Sequence, residues 1–381
     1  MILEIFSIRT RERVDLIRTY DFCQYEDVFN GIGTFVLKVP YTEKSLSYLN
    51  DEYFILFDNG ILGLIKYRGK VTEEMSTVEI RGYLSNHILN YRSFLKTASY
   101  SGKRTDVVRA MVNDLLIANQ DSRRNISFIK LATNTEFIPD AASVSCQNTG
   151  KKLGDVIQAT LEPIGYGYEL YPIIEKYNET LDTPTNLSAL EFRVIRPTDR
   201  TIGNTEGNSP IVFSMELNNL LRLLFEEDSF SKCSTAIVAG EGEAQERKIL
   251  EVGDTEVSGI DRIELYVDAR DLQSEKDNGD IIPDAEYQAM LKQRGEEYLD
   301  ENKVFLSFEG TISTGSMSYE YGKDFFKGDY VSVVDRELNL VIDTRISKVT
   351  KSSTKTGEII DITFGSERVA LRKLLNKKGV V

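Results

Sequence analysis

Short runs of alternating apolar and polar residues, each closed by a turn signal, fill both ends of this 381-residue chain. In the run GTFVLKV, the apolar side chains Phe35, Leu37 and Val39 share one face. The residues Asp-Asn-Gly at 58–60 separate two further runs and are a strong hairpin signal. A period of two indicates half-buried strands, so the first hundred residues predict a small antiparallel β unit.

The last eighty residues repeat this pattern. Four runs of strand-forming residues are separated by turn residues, at 304–312, 330–335, 340–348 and 358–364. They predict a second β unit comparable to the first.

The middle of the chain changes to a helical period. Residues 105–119 carry apolar side chains at helical spacing, with Thr105 as the expected N-cap. A second helix is predicted over 153–164, and the clearest one begins after Pro283 with Asp284 as its cap. The apolar stripe expected on this last helix consists of Ala285, Met290, Leu291, Tyr298 and Leu299. Residues 168–174 and 189–195 are expected to form a strand pair.

These elements predict a β-rich α+β chain in which two small antiparallel β-barrel domains flank helix-containing middle domains. The stretch 211–224 fits a buried strand and a helix equally well, and a strand from about 211–240 is a candidate to complete the first barrel. The expected domains are a first β-barrel at 1–96, an inserted α/β domain at 97–210, a linking α+β domain at 211–300, and a second β-barrel with a basic tail at 301–381.

Composition excludes several classes of function. The formal net charge of −14 is the opposite of what a persistent DNA binder needs to displace counterions from phosphates. The three cysteines are far apart, so the sequence predicts neither a disulfide framework nor a zinc site. No stretch is long and apolar enough to span a bilayer, and the amino terminus has no signal-peptide order.

No catalytic, cofactor or metal site is predicted. His87 is the natural candidate for a general base, but no nucleophile motif accompanies it, so a structural histidine is favoured. Asp268 and Asp271, interleaved with Arg270, are expected to form a buried salt-bridge cluster rather than an acid pair. The glycine-rich stretch 240–243 is expected to be a tight turn, with Arg247 compensating its glutamates.

Ordered motifs in the carboxy-terminal two-fifths resemble a known family. They are AGEGE at 239–243, ER at 246–247, GIDRIE at 259–264, VDARDL at 267–272, FKGDYV at 326–331, DTRI at 343–346 and ITFG at 362–365. Near the amino terminus, GTFVL at 33–37 and EIRGYL at 79–84 agree with them. Together they resemble the tail-hub family of siphophages, the amino-terminal part of tail-associated lysins, also called tail-tip or baseplate hub proteins.

The resemblance implies a structural role in the virion for a defined set of residues. These are Gly240, Gly242, Arg247, Arg262, Glu264, Asp268, Arg270, Asp271, Gly328, Asp329, Arg345 and Gly365. It implies a homotrimeric ring at the tail tip, with two β-barrels per subunit, that adapts six-fold to three-fold symmetry and lets DNA pass on ejection.

The partners implied are the distal tail protein, the tail tube and the tape-measure protein, with receptor-binding or tip-fibre proteins as further candidates. Synthesis and assembly are expected in the bacterial host cytoplasm. DNA would transit the lumen without stable binding, and this chain would not insert into a membrane. The alternatives are a peptidoglycan-degrading lysin, from the habits of the family, and a saccharide-binding tip module, from the 19 tyrosines.

Overall fold

A computed structural model of the chain shows the fold. It describes residues 1–71, 77–133, 142–176, 185–243, 246–275, 280–302, 305–312, 319–335, 340–355 and 357–365. The basic tail beyond 365 lies outside the described residues. In the described part of the chain, no helix is both long and apolar enough to cross a membrane.

The first β unit contains seven strands and one short helix. They are β1 (Leu3–Ser7), β2 (Arg13–Ile17), β3 (Phe22–Val28), β4 (Thr34–Pro40), α1 (Glu43–Tyr48), β5 (Tyr53–Leu56), β6 (Leu62–Val71) and β7 (Thr77–Leu84). The predicted face of β4 is buried, with Phe35, Leu37 and Val39 each at most 3% exposed. The predicted hairpin is confirmed, because a 3-10 turn at Asp58–Gly60 joins the antiparallel strands β5 and β6.

The inserted unit packs against one face of the first. Its elements are β8 (Ala98–Lys103), α2 (Arg104–Val112), β9 (Ile129–Leu131), β10 (Ser143–Asn148), α3 (Leu153–Leu161), β11 (Gly167–Glu175) and β12 (Asn186–Ile195). Both predicted helices and the predicted strand pair β11–β12 are present. The predicted cap is wrong: α2 begins at Arg104, and Thr105 lies buried inside the first turn because its side chain faces the core.

The ambiguous stretch after residue 210 forms two strands, β13 (Val212–Ser214) and β14 (Leu220–Asp228). The prediction that a strand from 211–240 completes the first β unit is wrong for the described pairings. Strand β13 pairs with residues 332–334 and β14 with residues 305–312, both in the carboxy-terminal unit. The reason is packing, since the ring of Phe213 lies 5.4 Å from that of Phe325 and 5.3 Å from that of Phe364.

The linking unit is a three-stranded sheet covered by one helix. Its elements are β15 (Thr235–Ala239), β16 (Ile249–Gly253), β17 (Glu264–Asp268) and α4 (Asp284–Asp300). The helix predicted after Pro283 is confirmed, and Met290 and Leu291 are buried as expected. The predicted cap is wrong, because Asp284 is the first helical residue and, among the described residues, its side chain makes no capping hydrogen bond. The predicted apolar stripe is partly wrong, because Ala285 is exposed and Tyr298 is 37% exposed, while Tyr287 is fully buried.

The second β unit adds four strands to β13 and β14. They are β18 (Phe305–Ile312), β19 (Tyr330–Asp335), β20 (Leu340–Thr354) and β21 (Gly357–Gly365). Pairing within the unit is antiparallel apart from β13, which runs parallel to β19.

The two β units are not separate bodies. The 15-residue strand β20 pairs with β21 inside its own unit and, from Lys348 to Thr354, with β3 of the first unit. One sheet therefore runs β14-β18-β21-β20-β3-β4-β7-β6-β5-β1-β2 through both units. The predicted fold class, a β-rich α+β chain with a β unit on each side of a helix-containing middle, is confirmed.

Candidate functional site

The glycine-rich stretch after β15 forms a tight turn. The amide of Gly240 donates to the carbonyl of Lys248 at 2.9 Å, and a Cβ at this glycine would lie 2.6 Å from the hydroxyl of Tyr287. Gly242 has a φ of +104°, a region that favours glycine. The carboxylate of Glu241 accepts hydrogen bonds from the amide and hydroxyl of Ser274, so it holds two loops together.

Arg247 does not compensate the glutamates of this turn, as the sequence suggested. Its guanidinium instead donates to the carboxylate of Asp268 at 2.9 Å and to the carbonyl of Gly240 at 3.2 Å. Asp268 also accepts from Arg270 at 2.6 Å. The hydrogen bonds from Arg270 are the main reason that the pKa of Asp268 falls to about 2.

The expected burial of the Asp268, Arg270 and Asp271 cluster is wrong. The Arg270 side chain is 67% exposed and that of Asp268 is 45% exposed, because Asp268 ends the edge strand β17 and Arg270 follows it. The buried partner is Arg294 on α4, which is 7% exposed and donates two hydrogen bonds of 3.0 Å to Asp271. Burial by itself would raise the pKa of Asp271, yet the pair with Arg294 brings it below its usual value.

Replacing Arg294 by Ala is expected to lower the free energy of unfolding by about 2 kcal/mol, less than for a fully buried pair because Asp271 is 40% exposed. Arg270→Ala is the matched control and should change stability little, because its ion pair is solvated. Urea unfolding of both variants checks this. Equal losses for the two would contradict the assignment of the buried partner to Arg294.

Arg262 and Glu264 lie on the outer surface of the linking unit. The guanidinium of Arg262 donates to Glu264 at 2.6 Å and to Glu251 at 2.9 Å. Glu251 belongs to β16 and Glu264 to β17, the strands on either side of β15. Arg262 therefore bridges both edges of the sheet from its solvent side.

The second group of predicted residues lies where three units meet. Asp329 is 4% exposed and accepts from the amides of Thr198 and Phe326 and from the guanidinium of Arg200, all at 3.0 to 3.1 Å. Burial raises its pKa despite these donors. The neighbouring Gly328 has a φ of +93°, as a turn glycine should.

The side chain of Phe29, which follows β3, is the centre of this junction. A Cβ on Gly328 of the second β unit, or on Gly167 of the inserted unit, would lie 2.4 Å from its ring. The guanidinium of Arg345 covers the ring at 4.9 Å and donates to Glu162 of the inserted unit at 2.9 Å. We call this contact of three units around Phe29 the junction.

Sequence reasoning missed the charges inside the junction. Lys327 is 11% exposed and forms an ion pair with Asp27 of β3, which is 7% exposed, and the partly buried Glu169 of β11 lies close by. Burial alone would lower the pKa of Lys327, but Asp27 and Glu169 raise it above its usual value. Burial raises the pKa of Glu169. Lys327 belongs to the FKGDYV motif at 326–331, but the sequence of this motif does not indicate that the lysine is buried.

A second missed contact joins the β units along β20. Lys351 is ion-paired with Asp58 of the first unit and with Glu358 of β21, and Tyr25 donates to Asp58 at 3.1 Å. Gly365 lies apart from both groups, at the end of β21 with a φ of +85°.

His87 has aromatic rather than catalytic surroundings. Its ring stacks on Tyr83 at 4.1 Å and meets the edge of Tyr91 at 5.6 Å. Burial, then Lys66 and Lys152, lower its pKa. The acid-rich segment is equally unsuited to glycosidase chemistry, since a general acid needs a raised pKa and Asp268 stays ionised. What the predicted residues do together is fix turns and join units.

Comparison with known proteins agrees with this architecture. The sequence profile of the family described as siphovirus ReqiPepy6 Gp37-like protein matches residues 2–366. No curated protein matches the chain in sequence.

Three solved structures share the fold over nearly the whole length. Prophage tail protein gp18 from Listeria monocytogenes EGD-e is 13% identical, with 99% of this chain and 98% of that one covered at a TM-score of 0.53. The 43 kDa tail protein of prophage MuSo2 from Shewanella oneidensis is 9% identical, with 96% and 98% covered at 0.55. A tail protein from Neisseria meningitidis MC58 is 12% identical, with 96% of each chain covered at 0.53.

Proposed function

The chain belongs to the family of siphovirus ReqiPepy6 Gp37-like proteins, and from this membership we propose that it is a structural, non-enzymatic subunit of a tail-tip or baseplate hub. Three copies form a ring that closes the tail tube. The similarity of the fold to three prophage tail proteins supports a place in the tail.

The observation that carries the proposal is the continuous sheet through both β units. A ring subunit has to hold its two wall segments at a fixed angle, because small errors accumulate around the ring and prevent closure. Strand β20 and the ion pairs of Lys327 and Lys351 fix the two units to each other. With two such units per subunit, three copies present six wall segments, which is the match needed between a six-fold tube and a three-fold tip.

The lumen of this ring serves as a conduit for DNA on ejection. A net charge of −14 favours passage over retention, because an acidic protein repels a polyanion. The distal tail protein, the tail tube and the tape-measure protein are the neighbours on the tube side. Receptor-binding or tip-fibre proteins join on the other side, and the finished subunit resides at the virion tail tip after assembly in the host cytoplasm.

Electron cryomicroscopy of the particle tests the proposal. We expect density for three copies of this chain in one ring directly below the last tube ring. Six copies, or density placed along the tube or on a fibre, would contradict it. Imaging the particle is preferred to measuring mass in solution, since an isolated hub subunit that needs its neighbours stays monomeric.

The two alternatives differ in support. Asp268 and Asp271 do not support a peptidoglycan hydrolase, because each carboxylate is bound by an arginine. Saccharide binding would use the exposed tyrosines Tyr67, Tyr83 and Tyr91, which lie on the outside of the first β unit.

A further inference from the structure

A cleft of about 480 Å³ lies between the inserted unit and the linking unit. Its lining includes Arg104, Pro163 and Ile164 on one side and Glu296, Leu299 and Asp300 on the other. This volume falls within the range of small-molecule sites. The cleft adjoins the junction, because Pro163 and Ile164 directly follow Glu162, but it shares no lining residue with the junction or with the turn after β15.

Arg104 is the reason to treat the cleft as a site. The residue is 7% exposed, and its Nη1 donates to the carbonyl of Thr160 at 2.8 Å. Its Nε is buried without a partner. No described carboxylate forms an ion pair with the guanidinium, and Glu296 pairs instead with Lys292 at 3.8 Å on the same helix. Glu296 and Glu297 are close enough to oppose the lowering of its pKa by burial, but neither touches it. A buried cation without a contacting anion costs several kcal/mol, which a bound carboxylate would offset.

The remaining charges decide which anion fits. The linking unit lines the cleft with Glu296 and Asp300, so the described lining carries one positive and two negative charges, with Lys292 just outside it paired to Glu296. A phosphate or other dianion would be repelled by the two acids. A ligand with a carboxylate at one end and an ammonium at the other meets both sides, with Ile164 and Leu299 available for the atoms between.

The dipoles of two helices favour the same arrangement of charges in the ligand. Arg104 is the first residue of the nine-residue helix α2, where the helix dipole favours a negative charge. Asp300 is the last residue of the 17-residue helix α4, where the dipole favours a positive charge. The ends of two helices and the charged side chains therefore share one polarity across the cleft.

We propose that this cleft binds a small zwitterion, an amino acid or the end of a short peptide. Its carboxylate is bound by the guanidinium of Arg104 and its ammonium faces Glu296. The proposal does not rest on a role in the tail, because it concerns a site within one chain.

Calorimetric titration of the purified protein with alanyl-alanine tests the proposal, with propionate as a ligand that has only the carboxylate. The dipeptide should bind the wild-type protein with millimolar affinity. Arg104→Gln should weaken it about tenfold, the value of a charge-assisted hydrogen bond. Arg123→Gln is the control, since Arg123 is 88% exposed and, among the described residues, pairs with Asp121 two positions earlier.

Glu296→Gln gives a second readout that does not depend on the folding of the Arg104 variant. It should weaken the dipeptide a few-fold and strengthen propionate, because it removes the attraction for the ammonium and the repulsion of the carboxylate. The proposal is overturned if the wild-type protein does not bind the dipeptide, if folded Arg104→Gln binds it as tightly, or if Glu296→Gln shifts both ligands in the same direction.

Discussion

Replacing Lys327 by Met is expected to lower the free energy of unfolding by about 3 kcal/mol near neutral pH. The lysine is 11% exposed and its ammonium is paired with Asp27, with Glu169 near. Methionine keeps most of the side-chain volume, so the loss reports charge rather than packing. The substitution leaves the carboxylate of Asp27 buried at the junction without its partner.

Two measurements separate this explanation from simple damage to the fold. In the double variant Asp27→Asn and Lys327→Met, both charges are gone, and urea unfolding should recover more than half of the loss. If the double variant is no more stable than Lys327→Met, the stranded charge is not the cause.

The pH dependence of stability provides an independent test of this explanation. Burial raises the pKa of Glu169, so the folded state holds this proton more tightly than the unfolded chain, and stability falls as pH rises from the usual value to the raised one. Lys327 lowers the pKa of Glu169, so removing the lysine raises that pKa further. The pH range over which stability falls then extends to higher pH. The deficit of Lys327→Met should therefore be smaller at about pH 5 than at about pH 7.

The fold class was predictable from the sequence because it depends on local patterns. Period-two runs at both ends and period-3.6 runs between them determine which segments become strands and helices, and these were identified. What the patterns could not show is strand pairing at a distance. A strand from about 211–240 was a candidate to complete the first β unit, whereas β13 and β14 pair with residues about a hundred positions further on, at 332–334 and 305–312.

The candidate site shows the same division between local and distant information. Turn glycines such as Gly242 and Gly328 were found, since a glycine beside polar residues is a local signal. The ion pair of the adjacent residues Arg270 and Asp268 was found, but ion-pair partners far apart in the sequence were not. Arg270 stands next to the acids in sequence and is exposed, while the buried partner Arg294 comes from a helix 23 residues away from Asp271. Lys327 is 300 residues from Asp27, and no spacing rule connects them.

Gly328→Ala is expected to lower the free energy of unfolding by about 3 kcal/mol, from two separable causes. The φ of +93° strains any residue with a Cβ, at about 1 kcal/mol. The Cβ would also lie 2.4 Å from the ring of Phe29, which cannot move away because Gly167 and Arg345 pack against it as well.

Gly150→Ala is the matched control, since Gly150 has a φ of +70° and no atom near the position of its Cβ. It should cost only the strain, about 1 kcal/mol. In a Phe29→Ala background the ring is gone, so Gly328→Ala should fall to the same cost as Gly150→Ala. A penalty at Gly328 that is unchanged by Phe29→Ala would mean that backbone strain alone requires this glycine. A penalty that falls to that of Gly150→Ala would establish that the remainder comes from the close packing of three units on Phe29.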